Sequence, residues 1–448
     1  MGRYCQIGQY TARIGSARPL ANTPRSAMAL PNLWGLYNLR SSPFFQATLR
    51  ADSDATPLRL FVGRQRERQL LLTTIGSSAS SRQAVAGRPG IGKTTLVQTV
   101  KADAQAEGYW SSDEIIPISA EGASEQLLGQ LLSGVYDAVL ANCPTAAGPE
   151  VEAAQQLVRS IRLRGGGLTM SAFGVGLGGS QSESVATPPG ALLLDGPRVL
   201  RDLLRYALGR GSRGIVLHLN NLENLSEANA SRAADLLRGI RDQALLQDGL
   251  HIVVVGTTDA VRTVVQSHTQ IRSVFSNPLI LEPLDLDDVK QLLANRYAAL
   301  QLDPAKPWRP PATDAVVQGL YALFRGDLRG LLKALEDGIT ALLGLTSAGA
   351  EVAPVGLDDL LITLRERNQA ELQEQLGDTA WERLVAWAQV DSASIETQIQ
   401  LVELWQIKQP SVSQTLQQLI EAGAVEALPR RGREAIQYLM TGTARLAL

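Results

Sequence analysis

Gly87-Arg88-Pro89-Gly90-Ile91-Gly92-Lys93-Thr94 matches G-x-x-x-x-G-K-[ST], the phosphate-binding P-loop. Glycines at this spacing let backbone N–H groups turn inward around a triphosphate. In such a loop Lys93 reaches the β/γ-phosphates and the Thr94 hydroxyl ligates Mg²⁺. The flanks fit the motif. Arg82-Gln83-Ala84-Val85-Ala86 reads as a short strand entering the loop. Thr95-Leu96-Val97-Gln98-Thr99-Val100 reads as the opening of a helix whose positive dipole end faces the phosphates. The expected ligands are ATP or ADP with Mg²⁺.

Working outward, strands and helices alternate. Leu60-Phe61-Val62-Gly63-Arg64 reads as a turn feeding an amphipathic helix. Ile115–Ser119 reads as a strand, and 124–142 and 149–163 as helices from their apolar spacing. Gly214–Leu219 and His251–Gly256 are continuous apolar runs, typical of strands buried on both faces of a parallel sheet. Helices are expected at 194–209 and 226–246, a short strand at 278–284, and helices again to about 345. The pattern predicts an α/β fold, a parallel sheet covered by helices. Gly165–Ser180 alternates apolar with small residues and reads as a pendant hairpin, so about 165–190 is an insertion. Its glycine spacing is wrong for dinucleotide binding, and it launches no helix.

The ends differ in texture. The first fifty residues hold six Arg and no acid before Asp52, which predicts a basic, disordered arm over 1–50. The arm is either a nucleic-acid contact or a bland extension; Met28 is an alternative start. Residues 346–357 read as a linker. Beyond it, helices near 369–389, 396–407 and 411–422 and strands near 424–428 and 434–439 make a winged helix over 358–448. The core is then 51–284 and a helical lid 285–345. Net charge is −2 over 448 residues, so no global positive field draws the chain to nucleic acid or anionic lipid. Cys5 and Cys143 form no disulfide framework, which points to a reducing cytoplasm. No apolar run approaches the ~18 residues of a membrane span.

Several motifs now stand in order: Phe61-Val62-Gly63-Arg64 before the P-loop, Leu217–Glu223 in the Walker B place, Val255–Asp259 in the sensor 1 place, and Gly326-Asp327-Leu328-Arg329 in the sensor 2 place. With a winged helix closing the chain, the order resembles the AAA+ P-loop ATPases of the origin-recognition and archaeal initiator group, and their bacterial relatives in mobile-element and defence systems. The resemblance covers about 58–448. It implies that Val62 and Gly63 wrap the adenine and that Gly87 to Thr95 hold the phosphates. It implies also that Thr257 or Thr258 orients water and that Arg329 senses the γ-phosphate. A homo-oligomer and protein partners are further implications.

The chain departs from that pattern twice. Walker B normally offers two acids, and here stand Asn220-Asn221. The Asn220 oxygen can ligate a Mg²⁺-bound water, but a neutral amide cannot act as a general base. Glu223 lies two residues further on, and strand alternation does not guarantee its aim. Slow hydrolysis is therefore expected. In Ile271-Arg272-Ser273-Val274-Phe275 the trans-acting Arg of the family is replaced by Val274, with Arg272 a weak stand-in.

In the C-terminal segment Pro410–Leu419 reads as a recognition helix. Val412, Leu416, Leu419 and Ile420 would face its core. Ser411, Ser413, Gln414, Gln417 and Gln418 would face outward, where they can bond phosphates and base edges. Arg430, Arg431 and Arg433 form a basic wing tip suited to phosphates or the minor groove. Residues 371–448 nonetheless hold ten acids and six bases, against the usual basic balance of DNA-binding modules. DNA contact and a purely protein-binding wing both stay open.

Overall fold

The computed structural model describes residues 32–49, 57–119, 122–165, 191–220, 222, 227–266, 268–344, 353–428 and 434–448. The Gly-rich insertion from 166 to 190 lies outside them, as do Asn221, Glu223, Arg430, Arg431 and Arg433.

The core unit runs α1 (Gln65–Gly76), β1 (Ser81–Ala86), α2 (Lys93–Ala106), β2 (Ile116–Pro117), α3 (Ser124–Asn142), α4 (Pro149–Gly165), α5 (Ala191–Gly209), β3 (Ile215–Asn220), α6 (Glu227–Gly239), β4 (Leu250–Gly256), α7 (Thr258–Val261), α8 (Thr269–Arg272) and β5 (Leu279–Ile280). Its five strands are parallel in the order β2-β3-β4-β1-β5. Every residue of β4 and five of six in β3 are buried, as their unbroken apolar runs require. One apolar cluster packs α3, α5 and α6 on one face, and a second packs α1 and α2 on the other.

Strand β1 is polar at its start yet fully buried. The reason is local pairing. Ser81 Oγ meets His251 Nδ1 at 2.9 Å, and Gln83 Nε2 donates to the Leu71 carbonyl at 3.2 Å. Arg82 Nη2 donates to the Gln247 carbonyl at 3.3 Å, while its Nε is buried with no partner among the described residues. Satisfied polar groups can be buried at small net cost.

The lid is α9 (Leu286–Ala299), α10 (Asp314–Leu323) and α11 (Leu328–Leu343). It corrects the reading of the N-terminal arm. From Asn32 to Leu49 the chain is packed into the lid: Trp34, Tyr37, Leu39 and Phe44 join Val289, Tyr297, Leu320 and Leu335 in one core. Phe44 stands edge-on to Trp34 at 5.5 Å and to Tyr297 at 6.4 Å. Burying large aromatic surface outweighs the ordering entropy that the Gly, Ser and Arg content suggested. Residues 1–31 lie outside the described residues.

The C-terminal module runs α12 (Leu357–Asp391), broken at Gly377, then β6 (Ile395–Thr397), α13 (Gln398–Trp405), α14 (Gln409–Glu421), β7 (Val425–Ala427), β8 (Gln437–Met440) and α15 (Gly442–Ala447). The strands form an antiparallel sheet, β6-β8-β7. β6 and α15 were not expected from the sequence. Val412, Leu416 and Leu419 are buried in this module's core, but Ile420 is 41% exposed, a correction to its expected inward placement. It falls on the last turn of α14. No helix among the described residues is long and apolar enough to cross a membrane.

Candidate nucleotide-binding site

Parallel strands put their C-terminal ends on one edge of the sheet, and the P-loop leaves β1 at that edge. There α2 starts at Lys93, with Gly92 at φ 94° as its N-cap. The first N–H groups of α2 have no intrahelical acceptor, which is the ordinary basis of anion binding at a helix start. Gly90 also has φ 78°, and a Cβ placed on it would lie 2.5 Å from Asp327 Oδ1 and 3.0 Å from the Arg329 Cβ. Only glycine lets the loop come that close to the lid.

Lys93 is buried, and its Nζ donates to the carbonyls of Gly87 at 3.0 Å and Arg88 at 2.8 Å. The loop is thus closed around its own lysine. Val62, Gly90, Ile91, Gly92, Lys93, Thr94, Thr95 and Arg329 line one cleft with Phe61, Arg64 and Leu332. Gly63 does not line it; a Cβ there would meet Asp288 Oδ2 at 2.6 Å, so the turn passes tightly under α9. Gly87, Arg88 and Pro89 also stand outside the walls, and the Arg88 side chain turns to Glu426 of β7.

The lid side is ordered by Asp327. It caps α11, accepting from the Arg329 backbone N–H at 3.0 Å, and so sets where Arg329 leaves the helix. Burial raises the Asp327 carboxyl above its ordinary range, while the N–H groups of Gly330 and Arg329 and the charges of Arg88 and Arg329 pull it down.

The sequence missed one wall. Phe45, Gln46, Ala47, Thr48 and Leu49 line the cleft opposite the P-loop. Arg296 of α9 holds this stretch: its Nη1 donates to the carbonyls of Pro43 at 3.0 Å and Phe45 at 2.8 Å, and its guanidinium lies 4.0 Å from the Phe45 ring centre. Burial lowers its pKa to about 10, so it stays cationic at neutral pH.

Asn220 ends β3 with its Oδ1 buried and without a hydrogen-bond partner among the described residues. Thr257 follows β4, where its Oγ1 accepts from Ala260 N–H at 3.3 Å and caps α7. Its hydroxyl therefore has a structural task, with its own proton left to donate. Neither side chain lines the cleft. Arg272 is exposed at the end of α8. His218 is fully buried in β3, where burial, helped by the Lys101 charge, lowers its pKa to about 3. It is a neutral core residue. The positive-φ glycines and the buried lysine at the start of α2 fit the phosphates of a nucleotide, which Lys93 and Thr94 would hold.

The strand order and the P-loop between β1 and α2 decide the fold. Residues 60–255 match the AAA ATPase domain family. This segment is an AAA+ P-loop ATPase domain, a class that binds nucleotide. Among solved structures the chain is similar to the Aeropyrum pernix ORC1 protein in complex with DNA, at 13% identity and TM-score 0.39, covering 93% of this chain and 96% of that one. It is similar also to the ORC2 protein of Aeropyrum pernix in ADPNP–ADP complexes, at 14% and 0.45, covering 90% and 95%. A third is Cdc6p from Pyrobaculum aerophilum, at 15% and 0.38, covering 90% and 99%. No curated protein matches.

Proposed function

We propose that the chain is an ATP-controlled AAA+ switch with slow turnover, whose C-terminal module is a DNA-binding winged helix. The observation that carries the switch is the shared cleft: P-loop, lid and arm all contribute walls, so a nucleotide there touches three elements at once. Arg329 would report the γ-phosphate to the lid, and α10 and α15 would carry the lid's position to the C-terminal module. Slow turnover would follow from the pair Asn220-Asn221, since a neutral amide takes no proton from the attacking water. An initiator-like role or a regulatory role in a mobile-element or defence system would suit a long-lived bound state.

DNA contact is supported by the outward face of α14, where Ser411, Ser413, Gln414, Gln417 and Gln418 are all exposed. A second reading has an observation of its own. Ile395, Ile399 and Ile420 are exposed on the same module, at 45%, 66% and 41%, which suits a protein partner and a signalling-type ATPase. The deciding experiment is DNA binding by the full-length chain with and without ATP, across a salt titration. Replacing Arg430, Arg431 and Arg433 together with Ala should weaken binding and flatten the salt slope, by ~0.9 for each phosphate that is no longer neutralised. Gln414→Ala should instead relax base preference by roughly 1–3 kcal/mol at one position. Equal DNA affinity for the wild type and the triple variant would favour the protein-binding wing.

A further inference from the structure

The C-terminal module sits on the lid through several contacts. Leu446 of α15 joins the lid core, Arg445 Nη1 donates to the Leu323 carbonyl at 2.6 Å, and Arg325 donates to the Ala393 carbonyl. Gly442 packs so tightly on Phe324 that a Cβ there would lie 2.1 Å from its ring. One contact is different in kind, because it ties the module to the phosphate loop itself. Arg88, the second residue of the P-loop motif, donates through Nε and Nη2 to both carboxylate oxygens of Glu426, with Nε–Oε1 at 3.2 Å. Both side chains are about one-third exposed, at 31% and 29%. On the other side of the loop stands Asp327, close against Gly90 and within reach of the Arg88 charge.

We infer that the Arg88–Glu426 pair is a latch: the C-terminal module uses it to hold the Arg88 side chain outside the cleft, and binding of a nucleoside triphosphate opens it. The inference rests on the nucleotide reading of the cleft and names how that site is regulated. Carboxylate and phosphate seek the same planar, bidentate donor, so Glu426 competes for Arg88 with an incoming phosphate. A triphosphate also brings several negative charges to a loop already flanked by Glu426 and Asp327. Their repulsion falls on the partner that can leave, which is the module carrying Glu426. By linkage the coupling is reciprocal: whatever opens the latch tightens triphosphate binding by the factor with which triphosphate favours opening. A partly exposed ion pair is worth a factor of up to about five.

The test uses the full-length chain with Glu426→Gln and Glu426→Arg, their folding checked by thermal melting. Two readouts are needed: ATP affinity by calorimetry, and amide exchange over 425–427 with and without ATP. The latch predicts ATP binding about fivefold tighter in Glu426→Arg, with Glu426→Gln between it and the wild type. It predicts that saturating ATP speeds exchange over 425–427 in the wild type. In Glu426→Arg that exchange should be fast already without nucleotide. Unchanged ATP affinity in both variants, or wild-type exchange indifferent to ATP, overturns the latch. If Lys93→Ala still loses ATP in that case, the nucleotide reading stands while the latch falls. A wild-type chain that binds no ATP overturns the nucleotide reading, and the latch as a nucleotide control goes with it.

Discussion

Replacing Arg296 with Met should leave global stability almost unchanged and still loosen nucleotide. Arg296 is 5% exposed, and burial, which lowers its pKa to about 10, disfavours the cation by about 3 kcal/mol. Against this stand two charge-assisted hydrogen bonds, to Pro43 and Phe45, at about 1.5–3 kcal/mol each. The stack on Phe45 adds about 1 kcal/mol. The net stabilisation is therefore only about 1–4 kcal/mol, and Met would recover part of it as apolar burial without a charge to desolvate. What Met cannot do is hold two carbonyls. Residues 43–49 would lose their anchor while Trp34, Tyr37 and Phe44 keep the rest of the arm in the lid core. Since Phe45 to Leu49 form one wall of the cleft, about 1.4 kcal/mol of lost pre-organisation should appear as about tenfold weaker ATP binding. Calorimetry with ATP and amide exchange over 43–49 measure the two effects, and urea unfolding measures the third. An Arg296→Met chain with wild-type ATP affinity and unaltered exchange would refute the view that this arginine shapes the site.

Three further outcomes are expected. Lys93→Ala should abolish most ATP binding, because it removes the buried cation of the loop and leaves its fold; unchanged affinity by calorimetry would reject the P-loop assignment. Steady-state hydrolysis should be far slower than in an AAA+ motor, and Asn221→Glu should raise it; several turnovers per second in the unmodified chain would shift attention to Glu223. The third concerns acid. Burial lowers His218 from 6.5 to about 3 and His251 from 6.5 to about 4, so the unfolded chain binds more protons than the folded one between about pH 4 and 6.5. Stability present above pH 6.5 is then lost as pH falls, by about 1.4 kcal/mol per histidine at pH 5.5. Urea unfolding at pH 7.5 and 5.5 should differ by about 3 kcal/mol from this source, and equal stabilities would contradict it.

What the sequence made legible was local. The P-loop declares itself because its glycine spacing, its lysine and its flanking strand and helix are contiguous, from Arg82 to Val100. The apolar strands Ile215–Leu219 and Leu250–Gly256 show themselves because burial on both faces leaves no polar alternation. The arm did not, since Trp34, Tyr37 and Phe44 follow no helical or strand period: Leu33–Tyr37 is a single 3-10 turn. Their partners also lie some 250 residues further along the chain. Thr257 was ambiguous for a different reason. Ser and Thr at a strand end serve helix caps and water alike, and only the Ala260 N–H contact shows the capping role. The Arg88–Glu426 pair spans 338 residues and no pattern in either segment announces it.

The Asn220 oxygen links these observations. A buried acceptor without a partner costs about 1–3 kcal/mol, and Asn220 shares that condition with Gln243 Oε1 among the described residues. Asp in the same place would carry charge into the edge of the sheet beside His218 and its buried surroundings, and would raise turnover if it served as base. In the proposed site Asn would keep an oxygen for a metal-bound water and supply no base. A latch that nucleotide opens is useful only if the open state outlasts the encounter that it permits. Slow chemistry at Asn220-Asn221 would prolong that state. Restoring an acid next to it should therefore shorten the open state, seen as faster return of slow amide exchange over 425–427 after excess ATP is removed.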